Sequence, residues 1–147
     1  MKIAIGSDHA GLALKNQIKE HLLARSYEVV DVGTHTEESC DYPDFALGVG
    51  RKVARGEVER GILICGSGIG MSIAANKVPG VRAALCHEPL SARLTRQDND
   101  SNVLTMGARI IGSLMALAVV DAWLAEPFGG GRHQRRVDKI KAIEEQA

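Results

Sequence analysis

Gly61–Cys65, GILIC, is the stretch that most limits what this chain can fold into. Its apolar residues are not interleaved with polar ones, and it stops abruptly at a glycine-rich turn. A strand of that kind is buried on both faces, so it belongs at the centre of a parallel sheet with helices on either side. The rest of the chain agrees. Short apolar runs recur as KIAIG (Lys2–Gly6), YEVVDVG (Tyr27–Gly33), VRAALC (Val81–Cys86) and NVLTMG (Asn102–Gly107). Helix-like segments separate them. Leu12, Leu14, Ile18, Leu22 and Leu23 recur at near-helical spacing, and a helix is predicted from Asp44 to Ala54 after the polar loop THTEESCDYPD. A short helix is predicted from Met71, another over EPLSARLTRQ with Pro89 in its first turn, and an apolar one over Ser113–Leu124. PFGGG breaks that helix, and a last one begins near Arg132. The alternation predicts an α/β fold: an open, doubly wound, mostly parallel five-stranded sheet with helices on both faces and a C-terminal helix. The 147 residues suit one domain, residues 1–147.

Charge and composition narrow the function classes. Eighteen basic residues balance eighteen acidic ones, which argues against a nucleic-acid or membrane-surface binder. Aromatic residues make up only 3%, so stacking platforms for bases are scarce. No stretch approaches the roughly 18 apolar residues of a membrane span, and the short apolar run in MKIAIGSDHAG does not read as a signal peptide. Cys40, Cys65 and Cys86 show no CxxC spacing and read as reduced thiols of a cytoplasmic protein. With the five histidines they form no zinc-like pattern, and Cys86–His87 is too tight a pair to chelate alone.

In open α/β sheets, ligands sit outside the carboxyl ends of the strands. Ser7, Asp8 and His9 follow the first strand, Cys65 and Ser67 the third, and Arg109 the fifth. His9 taken alone reads as a surface loop histidine; its place after a strand makes it a site candidate. In LICGSGIGMS, Gly66, Gly68 and Gly70 permit a tight turn and close approach by another molecule. The helix N-terminus that follows suits an anion and favours the thiolate of a neighbouring cysteine. Three chemistries compete for this stretch. A cysteine phosphatase would place an arginine where Met71 stands, so that reading fails. A dinucleotide site wants a third glycine, again where Met71 stands, although Glu88 follows the next strand at a plausible distance for a ribose-binding acid. The third chemistry is proton abstraction by the thiolate, with backbone amides holding the resulting enediolate. It uses the cysteine and the glycines together.

Five ordered motifs resemble the type B ribose-5-phosphate isomerases and their galactose-6-phosphate isomerase relatives. They are GSDHAG at the start, DYPD at Asp41–Asp44, GILICGSGIGMSIAANK at Gly61–Lys77, RQDNDSNVLTMGAR at Arg96–Arg109 and GGRHQRRV at Gly130–Val137. The resemblance implies a Rossmann-like subunit in a homodimer or a dimer of dimers, active sites between subunits, and no metal or organic cofactor. By position it implies that Cys65 is the base moving a proton between C1 and C2. Gly66, Ser67, Gly68, Ile69 and Gly70 would hold the enediolate oxygens, with Ser67 where threonine is frequent. Asp8, His9 and Asn99 would contact substrate, Tyr42 would line the pocket, and Arg109, Arg132 and Arg136 would gather the phosphate.

The residue types suit those roles. A phosphate monoester is nearly dianionic at neutral pH, and arginine forks match its oxygens. Arg132 and Arg136 share a helix face. Val137, Ile140 and Ile143 form a narrow apolar stripe on the same segment, for docking on the chain's own core or on a partner. One departure stands out. Asp98 precedes NDSN, where the family usually carries a histidine assigned to opening the sugar ring. A carboxylate is ionised at neutral pH; it accepts a proton but has none to donate. The expected function is therefore isomerisation of ribose 5-phosphate and ribulose 5-phosphate. The alternatives are another aldose phosphate (tetrose 4-phosphate, allose 6-phosphate or galactose 6-phosphate) or a non-catalytic nucleotide-binding module using GSGIG and Glu88.

Overall fold

A computed structural model describes residues 1–147. Strands β1 (Lys2–Ser7), β2 (Glu28–Gly33), β3 (Arg60–Cys65), β4 (Ala83–Leu85) and β5 (Val103–Gly107) form one sheet in the order β2-β1-β3-β5-β4. Every pairing is parallel, and GILIC is the central strand, as its uninterrupted apolar character requires. Successive β3 side chains point to opposite faces. Ile62 and Ile64 pack with Leu14, Ile18 and Leu22 of α1 (Leu12–Ala24), Ala92 of α4 (Pro89–Asn99), and Val119, Val120 and Trp123 of α5 (Ser113–Ala125). Leu63 and Cys65 pack with Ala46, Val49 and Val53 of α2 (Tyr42–Ala54) and with Met71 and Ala75 of α3 (Ile69–Ala75). One five-residue run thus supplies both apolar layers.

Element starts differ from the expectations where the backbone rather than the side-chain pattern decides them. Helix α2 begins at Tyr42, not Asp44, because Pro43 in its first turn has φ already set for a helix. Helix α3 begins at Ile69 because Gly68, at φ +78°, makes the reversal in the left-handed region. Strand β4 is shorter than the VRAALC run and lies at the sheet edge, where Asn76 pairs its side-chain amide with the N–H and C=O of Ala83. That contact occupies backbone groups an edge strand would otherwise present. Helix α6 (Arg132–Glu145) lies against α4. Of its apolar stripe only Val137 is buried; Ile140 and Ile143 remain exposed. From β1 the chain runs outward to β2, then crosses to the other side of β1 to make β3. The reversal of winding therefore opens a crevice at the carboxyl ends of β1 and β3.

Candidate active site

At the end of β1, the Asp8 amide donates to the Ile64 carbonyl at 3.3 Å, tying the start of the loop to β3. The Asp8 carboxylate caps the 3-10 turn His9–Gly11 by accepting from the Gly11 N–H at 3.1 Å. A β-carbon at Gly11 would lie 2.5 Å from the Ile64 carbonyl oxygen, so glycine lets the turn press onto β3. His9 Nδ1 accepts from the Cys40 amide at 3.2 Å. That bond gives the neutral ring its proton on Nε2.

β3 delivers Cys65 to the crevice, 5% exposed. The turn that follows brings the Gly68 N–H to 3.2 Å from Cys65 Sγ. Sulfur carrying negative charge is stabilised by such a donor. The turn is clamped from β5: the buried Thr105 hydroxyl donates to the Gly68 carbonyl at 3.0 Å, and Gly107 packs flat on the Ser67 backbone. His87 Nε2 accepts from the Gly107 amide at 2.9 Å, and burial holds His87 below its ordinary range, in the neutral form that can accept. Beyond β5, the Ala108 amide donates to the Cys65 carbonyl and the Arg109 amide to the Gly66 carbonyl. This lays the Arg109 guanidinium against Gly66; a β-carbon there would be 3.3 Å from Nη1. The Tyr42 ring covers Gly70 with no room for a side chain between them.

The result is a cleft of about 550 Å³. Its walls include Asp8, Tyr42, Cys65, Gly66, Ser67, Ile69, Gly70 and Arg109, all expected from the sequence, together with Ile73 and Ile110, which were not. Ile69, Ile73 and Ile110 are each more than half exposed at its mouth. Gly68 lies behind the wall and His9 beside it. Asp98 and Asn99 end α4, and Arg132 and Arg136 begin α6; none of these four lines the cleft within one chain. Asp98 Oδ1 instead stands 3.5 Å from His133 Nε2. A second cavity, of about 480 Å³, separates α6 from the β4 edge. Asn99 lines this second cavity rather than the cleft, beside Arg82, Asn76 and Glu144, whose side chains are bonded to backbone.

Two features bear on other chemistries. Both Glu88 carboxylate oxygens cap α4, accepting from Leu90 N at 2.6 Å and Ser91 N at 2.7 Å. The acid needed for a ribose contact is already engaged, and Met71, where a dinucleotide loop wants glycine, is fully buried. No group of three or more His, Cys, Asp or Glu side chains is placed to hold a metal ion.

What sequence reading missed are the supports: the Cys40 amide, Thr105, His87 and His133. Thr105 and His87 had a weak signal, a hydroxyl inside an apolar strand and an imidazole at a strand end.

A model of the ribose/galactose isomerase family matches residues 3–140. Ribose-5-phosphate isomerase B of Escherichia coli is 55% identical over 144 residues, covering 98% of this chain and 97% of its own length. The Clostridium thermocellum ribose-5-phosphate isomerase B structure superposes with a TM-score of 0.98 at 55% identity, covering 99% of each chain. The Mycoplasma genitalium ribose-5-phosphate isomerase B, with bound ribulose-5-phosphate, does so with a TM-score of 0.96 at 45% identity, covering 99% of this chain and 97% of that one. The chain belongs to the ribose/galactose isomerase family and is an aldose–ketose isomerase.

Proposed function

We propose that this isomerase interconverts ribose 5-phosphate and ribulose 5-phosphate, with Cys65 as the base and an enediolate as the intermediate. The observation that carries the reading is the Cys65 sulfur at the floor of the cleft, held by the Gly68 N–H beside a turn of bare backbone. The Cys65 thiolate removes the proton from C2 of the open-chain aldose as the C1 carbonyl takes up negative charge. The hydroxyl proton on O2 passes to O1, and the same thiol returns the carbon-bound proton to C1 as the carbonyl forms at C2, so no atom is gained or lost. Backbone amides of Gly66–Gly70 and the Ser67 hydroxyl face the charge that develops. Asp8 and His9 hold substrate hydroxyls.

The cleft of one chain has a single cation, Arg109, for a nearly dianionic phosphate. Its mouth also exposes Ile69, Ile73 and Ile110, continued by Leu114 at 84% exposure. An apolar rim around an incomplete site supports a homodimer in which the second copy brings Asn99 to the substrate and Arg132 and Arg136 to its phosphate. Three free cysteines fit a cytoplasmic enzyme.

The test assays four-, five- and six-carbon aldose phosphates for ketose formation with the wild-type chain and with Cys65→Ala. The pentose is the preferred substrate, and the variant loses roughly 10²–10⁴-fold in turnover while still binding it. A Cys65→Ala enzyme of near-normal turnover would remove the base assignment. Preference for another sugar would move the substrate.

A further inference from the structure

Asp98 and His133 make a carboxylate–imidazole couple that the steps above leave unused. Asp98 lies in the last turn of α4 and His133 in the first turn of α6. The break between α5 and α6 is pinned to the end of α4 by the Gly129 amide, which donates to the Gln97 carbonyl at 3.0 Å. A β-carbon at Gly129 would lie 3.3 Å from His133 Cδ2, so the ring rests on bare backbone. The His133 side chain is only 15% exposed, and its Nε2 stands 3.5 Å from Asp98 Oδ1. The carboxylate faces Nε2 at ion-pair distance, and Nδ1 makes no hydrogen bond within the chain. A carboxylate beside an imidazole stabilises the imidazolium when it forms, which suits the ring to take up a proton.

The neighbours of His133 say which atoms it meets. Arg132 precedes it, and Arg136 lies one helical turn on, on the same face. In a furanose 5-phosphate the ring oxygen is on C4, one carbon from the phosphate-bearing C5. An imidazole beside the phosphate-binding arginines is therefore beside the ring oxygen.

We propose that His133, oriented by Asp98, opens the furanose ring of the aldose phosphate. His133 Nδ1 takes the proton from the anomeric hydroxyl while the bond from C1 to the ring oxygen breaks and the C1 carbonyl forms. The imidazolium, held by Asp98, then gives that proton to the departing ring oxygen, leaving the open aldehyde and a neutral ring. This inference rests on the pentose-isomerase reading, and its test separates the two.

Ribulose 5-phosphate is acyclic, because its O5 is esterified and cannot close onto C2. Exchange of its C1 proton with solvent deuterium therefore needs Cys65 and the turn but no ring opening. In His133→Asn, conversion of ribose 5-phosphate falls about tenfold or more, down to the rate of spontaneous opening, while the exchange rate stays near wild type. Retained exchange also shows that the variant is folded. Asp98→Asn, which keeps the shape and removes the charge, gives the same split with a smaller loss. Equal loss in both assays, loss in neither, or weaker binding of inorganic phosphate with unchanged pentose turnover would overturn the proposal. The last outcome would make His133 a phosphate ligand. A wild-type chain that neither converts the pentose nor exchanges the ketose proton would overturn the underlying reading and this one with it.

Discussion

Gly107→Ala tests whether the placement of the glycine turn, and not only the presence of Cys65, sets the rate. Gly107 ends β5 and touches no proposed substrate atom. A β-carbon there would lie 2.5 Å from the Ser67 carbonyl carbon and 2.6 Å from its Cα and its oxygen. Carbon atoms rest about 3.5–4 Å apart, so the turn must retreat by about 1 Å. It has little freedom to do so. The Gly68 carbonyl is held by Thr105, and a β-carbon at Gly68 would already be 2.6 Å from the Met106 carbonyl carbon. Overpacking of this kind costs about 1–3 kcal/mol of stability, and for a chain of this size each kcal/mol lowers Tm by about 2–4 °C. The larger effect falls on catalysis. A displacement near 1 Å at the reacting centre costs about 10²-fold, here by shifting the Gly68 amide and Ser67 relative to Cys65. Steady-state isomerisation and thermal unfolding are measured together. Gly56→Ala is the control: Gly56 has φ +71° and open space around it, so alanine there costs about 1 kcal/mol of backbone strain without touching the turn. Both variants melt earlier, but only Gly107→Ala loses kcat. A Gly107→Ala enzyme with wild-type kcat would refute the reasoning.

Arg132→Ala and Arg136→Ala each weaken substrate and inorganic phosphate together, by about one to two powers of ten for a charge-assisted hydrogen bond of roughly 1.5–3 kcal/mol; titration calorimetry with phosphate reads this directly, and unchanged affinity in the double variant rejects the assignment. Acid stability tracks Asp31. Burial alone pushes its carboxyl up, but the bonds from Lys15, the Gly33 amide and Lys19 outweigh that and hold it below the ordinary value of 3.8. Its contribution is therefore complete above the unfolded-state value and lost as pH falls from about 4 through the lower folded value, so thermal stability drops across that window. Asp31→Asn flattens the drop and costs roughly 3 kcal/mol or more at pH 7, because the fully buried Lys15 loses its partner.

The sheet and the cysteine half of the site were legible because local sequence determines them. GILIC needs cover on both faces wherever it lies, and the glycines after Cys65 demand a turn whatever packs behind them. Residues set by contacts distant in sequence were not legible. Nothing near His9 announces that the amide of Cys40 will orient its ring. Nothing in VRAALCHE says that His87 will accept from Gly107 on the next strand. Glu88 stood at the spacing of a ribose-binding acid, and the same position before Pro89 makes it a helix cap; local hydrogen bonding won. The stripe Val137, Ile140 and Ile143 has helical period along its whole length, but periodicity does not say how far a partner surface extends, and this chain covers only its first residue.

The division of residues between strand ends and helix ends follows from the tolerance of each task. Proton transfer at C1 and C2 depends on sub-ångström placement of sulfur and amides. Those groups sit at the carboxyl end of β3 and in the turn that follows, which β5 clamps through Thr105 and Gly107. Binding a phosphate by arginine forks depends on charge and reach, and long side chains absorb small errors of backbone position. Arg132 and Arg136 accordingly stand exposed in the first turns of α6, a helix anchored by one buried valine and by Glu144 on the Gly80 amide. Asp98 and His133 fall between these extremes. They lie on helix ends, yet a glycine clamp on the break before α6 holds the ring against backbone, which is more order than charge attraction alone requires. On this division, perturbations at the strand ends act on kcat, those at Arg132 and Arg136 act on KM, and those at Asp98 and His133 act on the cyclic substrate alone.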